Sequence, residues 1–209
     1  VSLTPDNAPV HNNLGATYLQ MGLIGEAATS FERVAEIEPV ASSISNYGTI
    51  LYYLGQFEAS AGQFRKAAEM SPADHRMRGN IADAVHHLED RADEAMSEYR
   101  KAAELAEQHL QISQKDAQAL AALAWYRTRT GEHVAASELI DRALQLAPKD
   151  PEVIYYIALV ELEIGNLKAA LDFLALAVEA GYSSFLIEAS PDLKALRGIP
   201  RFSELLGAG

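Results

Sequence analysis

Apolar residues along this chain return every three or four positions. Leu14, Tyr18 and Met21 fall on one helical face, as do Ala27, Phe31, Val34 and Ile37. A spacing of i, i+3, i+4 and i+7 places side chains on a single stripe, so each segment is predicted to be an amphipathic helix. The helices come in pairs. Gly22, Gly55, Gly131 and Gly165 fall between the first and second helix, and Pro39, Pro72 and Pro148 follow the second, where glycine and proline end helices. The pairing repeats about every 34 residues, a period that defines an architecture before any site is considered. His11, Leu14, Gly15, Tyr18, Ala27, Phe31 and Pro39 recur as Ile44, Tyr47, Gly48, Leu51, Ser60, Phe64 and Pro72. A third copy reads Arg78, Ile81, Ala82, Val85, Ala95, Tyr99; a fourth Leu120, Leu123, Ala124, Arg127, Ala136, Ile140, Pro148; a fifth Ile154, Ile157, Ala158, Glu161, Ala170, Leu174.

The column Gly15, Gly48, Ala82, Ala124, Ala158 has almost no side chain, so a neighbouring helix can approach closely there while the aromatic column fills the space beside it. No pair can bury its stripe alone, so stability must come from stacking. These columns resemble the W-x2-L-G-x2-Y, A-x3-F, P pattern of the tetratricopeptide family over residues 8–182. The resemblance implies an all-α fold, a right-handed α-solenoid of tetratricopeptide helix pairs with a C-terminal helical cap. Five repeats are expected at about 8–40, 41–74, 75–116, 117–150 and 151–182, with 183–209 as the capping segment.

Two regions depart from the period. The third copy carries one residue too many before Ala95, with Glu89-Asp90-Arg91 in place of the usual glycine turn. Its second helix continues without Pro or Gly, an excess of about seven residues, or two turns. That spacing predicts a helix from about Asp93 to Ser113, projecting beyond its neighbours as a tolerated variation or as a docking edge. The tail, Ala180-Gly181-Tyr182 through Pro200-Arg201-Phe202-Ser203-Glu204-Leu205-Leu206, is similar to closing segments of bacterial tetratricopeptide tails attached to kinases, nucleotide cyclases and winged-helix regulators. Leu193, Leu196, Phe202, Leu205 and Leu206 can cover the apolar face of the last pair. At the other end, Val1-Ser2-Leu3-Thr4-Pro5 has the form of a second helix closing on its proline, so residues 1–7 are expected to be the tail of a truncated upstream repeat.

Composition narrows the function. A net charge of -12 repels phosphate backbones and anionic lipid, which makes nucleic acid and membrane poor partners and neutral or basic segments better ones. The longest apolar run, over 153–162, is far shorter than the roughly 18–20 residues of a membrane span. The chain has no cysteine, which removes disulfides, thiolate metal sites and a cysteine nucleophile. Cytoplasm is the default compartment, with the periplasm open. The six histidines are scattered without HExxH or triad grouping. Asp83 with His86 or His87 has a spacing that could hold a cation weakly, and a packed or solvated helix face explains it more simply. Phosphate-binding glycine loops are absent. No catalytic residue, metal ligand or cofactor site is expected, and the chain is read as non-catalytic.

What remains is the inner surface of the first helices. Its expected lining changes from small and polar at Asn12, Thr49, Tyr52, Arg76, Asp83 and His86 to aromatic and apolar at Trp125, Tyr155 and Leu159. Family members that hold acidic tails use Lys, Arg and Asn here; only Asn12 and Arg76 are of those types, so the expected ligand is an extended or helical apolar segment, from another molecule or from the same parent chain, rather than a carboxylate tail. Trp125 follows Ala124 by one residue and is therefore expected to turn toward the groove as its anchor, on a platform of Tyr155 and Leu159, the alternative being a core role against the long helix. Arg127 and Glu161, in one column of adjacent repeats, are expected to form an ion pair. The function implied is a protein or peptide-binding scaffold, the tail of a larger bacterial signalling or regulatory protein. The alternative is a structural or self-associating spacer, a homo-oligomer included.

Overall fold

A computed structural model describes residues 7–207 and folds them into helices; no strand occurs among the described residues. The reading of Val1-Ser2-Leu3-Thr4-Pro5 lies outside them. First and second helices alternate as α1 (Ala8–Gln20), α2 (Ile24–Ile37), α3 (Ala41–Tyr53), α4 (Phe57–Met70), α5 (His75–His86), α6 (Ala92–Ile112), α7 (Ala117–Arg129), α8 (His133–Leu146), α9 (Pro151–Glu163) and α10 (Leu167–Glu179). Short α11 (Ser184–Ala189), a 3-10 turn (Pro191–Leu196) and α12 (Pro200–Leu205) follow. The chain divides into two compact units, Val1–Ala95 and Met96–Gly209. Among the described residues no helix is long and apolar enough to cross a membrane.

Local sequence explains where these helices start and turn. Asn7, Asp74, Asp116 and Asp150 precede α1, α5, α7 and α9, and their side-chain oxygens accept first-turn N–H groups at 2.9 to 3.1 Å. Each such cap is worth about 1 kcal/mol. Between the helices of a pair, Gly22, Gly55, Gly131 and Gly165 take φ of 74°, 73°, 87° and 89°, a left-handed geometry that costs a side-chain-bearing residue energy. The third pair lacks the glycine, and Asp90 takes φ 59° in its place. Aspartate is among the few residues that tolerate this region.

In the first unit α1 packs on α2, α2 on α3, α3 on α4 and α4 on α5. The close approach inside each pair is a small residue against an aromatic one. A Cβ on Gly15 would lie 2.8 Å from the Phe31 ring, and one on Gly48 would lie 3.0 Å from Phe64. The buried Ser60 hydroxyl donates to the Gly48 carbonyl at 2.8 Å, so the polar groups at this contact are satisfied. Gly48→Ala should therefore destabilise the fold by about 1–3 kcal/mol through overpacking, although Ala is the better helix former; chemical denaturation measures it.

Charge is neutralised locally on this unit. Glu94 receives hydrogen bonds from Arg65 at 2.8 Å and Arg91 at 2.6 Å, and Arg91 also reaches Glu58 at 3.1 Å. Partial burial pushes the Glu94 carboxyl up, but the two guanidinium groups outweigh it and hold the group below its ordinary range. Tyr47 donates to Glu32 at 2.9 Å. Burial first, then that bond and the charges of Glu32 and Glu36, push its pKa up from 10.0 to about 12. A pKa raised on folding favours the neutral phenol, so its contribution is complete below pH 10 and is lost as pH climbs toward 12. Unfolding midpoints followed from pH 9 upward should show this extra alkaline loss, and Tyr47→Phe should lack it.

In the second unit α7 packs on α8 and α9, α9 on α8 and α10, and α10 on α12. Every residue of α7 from Ala119 to Tyr126 is buried; a helix apolar all round is an enclosed one. The seven-residue excess in the third copy takes the form of length: α6 has 21 residues where α2, α4 and α8 have 14. Its end is tied to the next helix by His109, whose Nε2 lies 2.8 Å from the Asp116 carboxylate that also caps α7. Ile112, on the last turn, is 89% exposed.

Candidate functional site

The first-helix face is open in the first unit. Asn12 and Ala16 on α1 and Arg76 and His86 on α5 are exposed, and Thr49 on α3 and Asp83 on α5 are half-buried. The Thr49 hydroxyl donates to the Ser45 carbonyl at 3.1 Å, which leaves its oxygen as an acceptor toward that face. Arg76 folds back on the residue that caps its own helix: Nε and Nη2 donate to Asp74 at 2.9 and 2.7 Å. Partial burial pushes the Asp74 carboxyl up, yet the Arg76 side chain and N–H outweigh it and hold it below the ordinary range. Tyr52 lies beneath rather than on the surface. Its hydroxyl is 3.0 Å from His87 Nε2, its ring meets Phe57 edge-on at 5.7 Å, and Phe57 stacks on His87 at 4.6 Å. Tyr52 thus fastens the ends of α3 and α5 to the start of α4 and serves the site as floor. The same bond engages His87, and among the described residues no group of three or more His, Cys, Asp or Glu could hold a metal ion.

In the second unit the corresponding positions are sealed, which corrects the expectation of an aromatic groove anchor. Trp125 is 2% exposed. Tyr99 of α6 meets its ring edge-on at 6.4 Å, and the Arg129 guanidinium, one turn further on, lies 5.1 Å from the Trp125 centroid and 5.5 Å from Tyr99. Glu163 of α9 holds Arg129 in place at 2.7 Å. The expectation rested on the rotation of Trp125 away from the column that faces α8. The alternative, a core role against the long helix, holds instead: Tyr99 of α6 lies against the ring. Leu159 is likewise buried. Tyr155 is covered by the tail: its ring stacks on Tyr182 at 4.4 Å and its hydroxyl lies 3.0 Å from that of the fully buried Ser190. Trp125, Tyr155 and Leu159 therefore present no surface to a ligand.

The expected Arg127 to Glu161 pair is also absent. Arg127 donates to Glu132 at 3.2 Å and to Glu107 at 2.5 Å, and Glu161 accepts from Asn166 at 2.8 Å. Sequence proximity to the turn gives Arg127 and Glu161 each a partner closer than the next repeat, while the long α6 supplies Glu107.

An open row of polar first-helix positions above a packed layer of second helices defines a helical-repeat scaffold. A family model described as tetratricopeptide repeat matches residues 8–40 and another of that description 48–109, while one described as anaphase-promoting complex, cyclosome, subunit 3 matches 95–176. The chain belongs to the tetratricopeptide-repeat family, all-α repeats of the solenoid class that typically act as non-catalytic scaffolds for protein or peptide partners. No curated protein matches the sequence. Among solved structures, a thermophilic tetratricopeptide protein of Thermus thermophilus aligns with a TM-score of 0.64 at 18% identity, covering 90% of this chain and 99% of that one. The pilF protein of Pseudomonas aeruginosa aligns at 0.53 and 17% identity, with 97% of each chain covered. At these identities the likeness concerns the fold.

Proposed function

We propose that this scaffold holds a polypeptide segment against the first-helix face of the first unit, with Asn12, Thr49, Arg76, Asp83 and His86 as contacts and Tyr52 as floor. One observation carries the reading. The repeat column Ala16, Thr49, Asp83 is accessible, whereas its continuation, Trp125 and Leu159, is buried. A row of amide, hydroxyl and charged groups about one helix apart suits an extended main chain, whose N–H and C=O groups must find partners when they leave water. The net charge of -12 favours a neutral or basic segment. The other parts of the reading rest on residue pattern: five repeats over 8–182, and 183–209 as a cap that finishes the last pair. Similarity of that tail to those of bacterial regulators supports a place in a larger signalling protein.

Peptides selected from a random library against the whole chain test the site. Binding of a selected peptide, measured by calorimetry, should weaken by about fivefold with Asn12→Ala or Thr49→Ala, since one hydrogen bond is worth on the order of 1 kcal/mol. Selected peptides that lose no affinity with either variant would contradict the proposal.

A further inference from the structure

The first helices share one polar column that the proposed contacts do not include. Asn13 on α1, Asn46 on α3 and Asn80 on α5 stand two residues before Gly15, Gly48 and Ala82, the small column of the same repeats. Each also precedes Ala16, Thr49 or Asp83 by three residues, and side chains three apart on a helix are neighbours on one face. Asn13 and Asn46 are exposed and Asn80 is half-buried. Asn46 stays exposed with α2 packed on α3, so the opening of the column follows from its side of the helix. In the second unit the column does not continue: its next members are Ala122, which is buried, and Tyr156.

The fold does not use these amides. Of the six asparagines in the chain, Asn7 caps α1 and Asn166, just ahead of α10, donates to Glu161. Asn13, Asn46 and Asn80 lie inside helices, where asparagine is a poorer former than alanine. Among the described residues none of their side-chain amides has a hydrogen-bond partner. A helix-weakening residue at one offset in three consecutive repeats thus serves something outside its helix. Charge narrows what that is. α1 and α3 contain no Asp, Glu, Lys or Arg, and Arg76 at the start of α5 is bonded to Asp74. Over α1 and α3 the column offers donors and acceptors without charge, which suits neutral amides and gives a carboxylate no cation.

Resting on the peptide site proposed above, we infer that Asn13, Asn46 and Asn80 read the main chain of the bound segment, and that this segment runs as a polyproline II helix. A side-chain amide presents N–H and C=O together, so it can take a peptide C=O and N–H at once. The step between rungs selects the conformation. α3 packs on α5, helices in contact run about 8–10 Å apart, and the repeat carries a similar step back to α1. A polyproline II chain turns once in three residues and rises about 3.1 Å for each, so the same main-chain groups return every ~9 Å. In a β-strand they return every second residue, at about 6.6 Å, which is out of step by the second rung. Polyproline II has no internal hydrogen bonds, so its amides are open to the column. The segment needs no proline, and a proline at a rung would remove the N–H that the asparagine accepts.

Peptides selected from a random library against the whole chain are the probes. Each main-chain amide of a selected peptide is replaced in turn by an ester, which deletes the N–H and weakens the C=O, and binding is measured by calorimetry. Losses of about fivefold or more are expected at positions three apart, with little effect between them. Asn46→Ala should weaken the unmodified peptide by a similar factor and cancel the loss at one sensitive position. Its melting temperature should hold or rise, because Ala is the better helix former, whereas loss of an asparagine that served the fold would lower it. Ester losses at every second position, or at none, overturn the inference, and so does a peptide indifferent to Asn46→Ala. If binding in those cases still falls with Asn12→Ala or Thr49→Ala, the peptide site stands without its main-chain column. Peptides that lose nothing with any of the three variants remove both.

Discussion

Trp125→Ala should lower the unfolding free energy by about 3–5 kcal/mol, the range for truncating a large aromatic in a packed interior. The cost has identifiable parts. Removing the indole takes away the edge-on contact with Tyr99 at 6.4 Å and the surface on which Arg129 lies at 5.1 Å. Arg129 then keeps its bond to Glu163 at 2.7 Å but faces a cavity. A loss near the upper figure is expected because α7 is hemmed by α8 and α9 and can collapse little into the gap. Denaturant titration measures the loss. A neutral Trp125→Ala would mean that the ring is not part of the interior at all.

Phe202→Ala should cost a similar amount, about 3–5 kcal/mol, with a different consequence. Phe202 of α12 is buried together with Leu193, Leu196 and Ile187 of the tail, while α12 packs on α10. Arg201 reaches Asp172 of α10, and the Arg197 guanidinium donates to the carbonyls of Glu188, Ala189 and Ser190. Loosening α12 uncovers α10, so the variant should also bind a hydrophobic dye and aggregate earlier on heating than Trp125→Ala at equal stability loss. If its melting temperature and its dye binding match those of the unchanged chain, the tail does not cover the last pair.

The elements that periodicity encodes were legible without coordinates. Gly15 against Phe31 and Gly48 against Phe64 are contacts within one helix pair, joined by a short turn, so a small and a large residue at a constant offset are enough to place them. The two extra turns of α6 were readable for the same reason, since seven residues without Gly or Pro can only lengthen a helix. What failed was set by contacts between pairs. Trp125 is enclosed because Tyr99 of the preceding long helix and Arg129, held by Glu163, lie against its ring, and no spacing within one repeat reports that approach. Tyr155 is another case. The tail was legible as apolar through Leu193, Leu196 and Phe202, but the stacking of Tyr182 and the hydroxyl of Ser190 on Tyr155 depend on how that tail folds back. Where the chain closed its own surface, an apolar pattern looked like a binding groove. The polar positions of α1, α3 and α5 carried the weaker signal, because exposed Asn and Thr are ordinary on any helix.

The most direct test of the proposed site is hydrogen exchange of the chain with and without a selected peptide. Protection on binding should appear in α1, α3 and α5, around Asn12, Thr49 and Asp83, with α7 and α9 unchanged. New protection confined to α7 and α9, or to the second helices α2 and α4, would contradict the account.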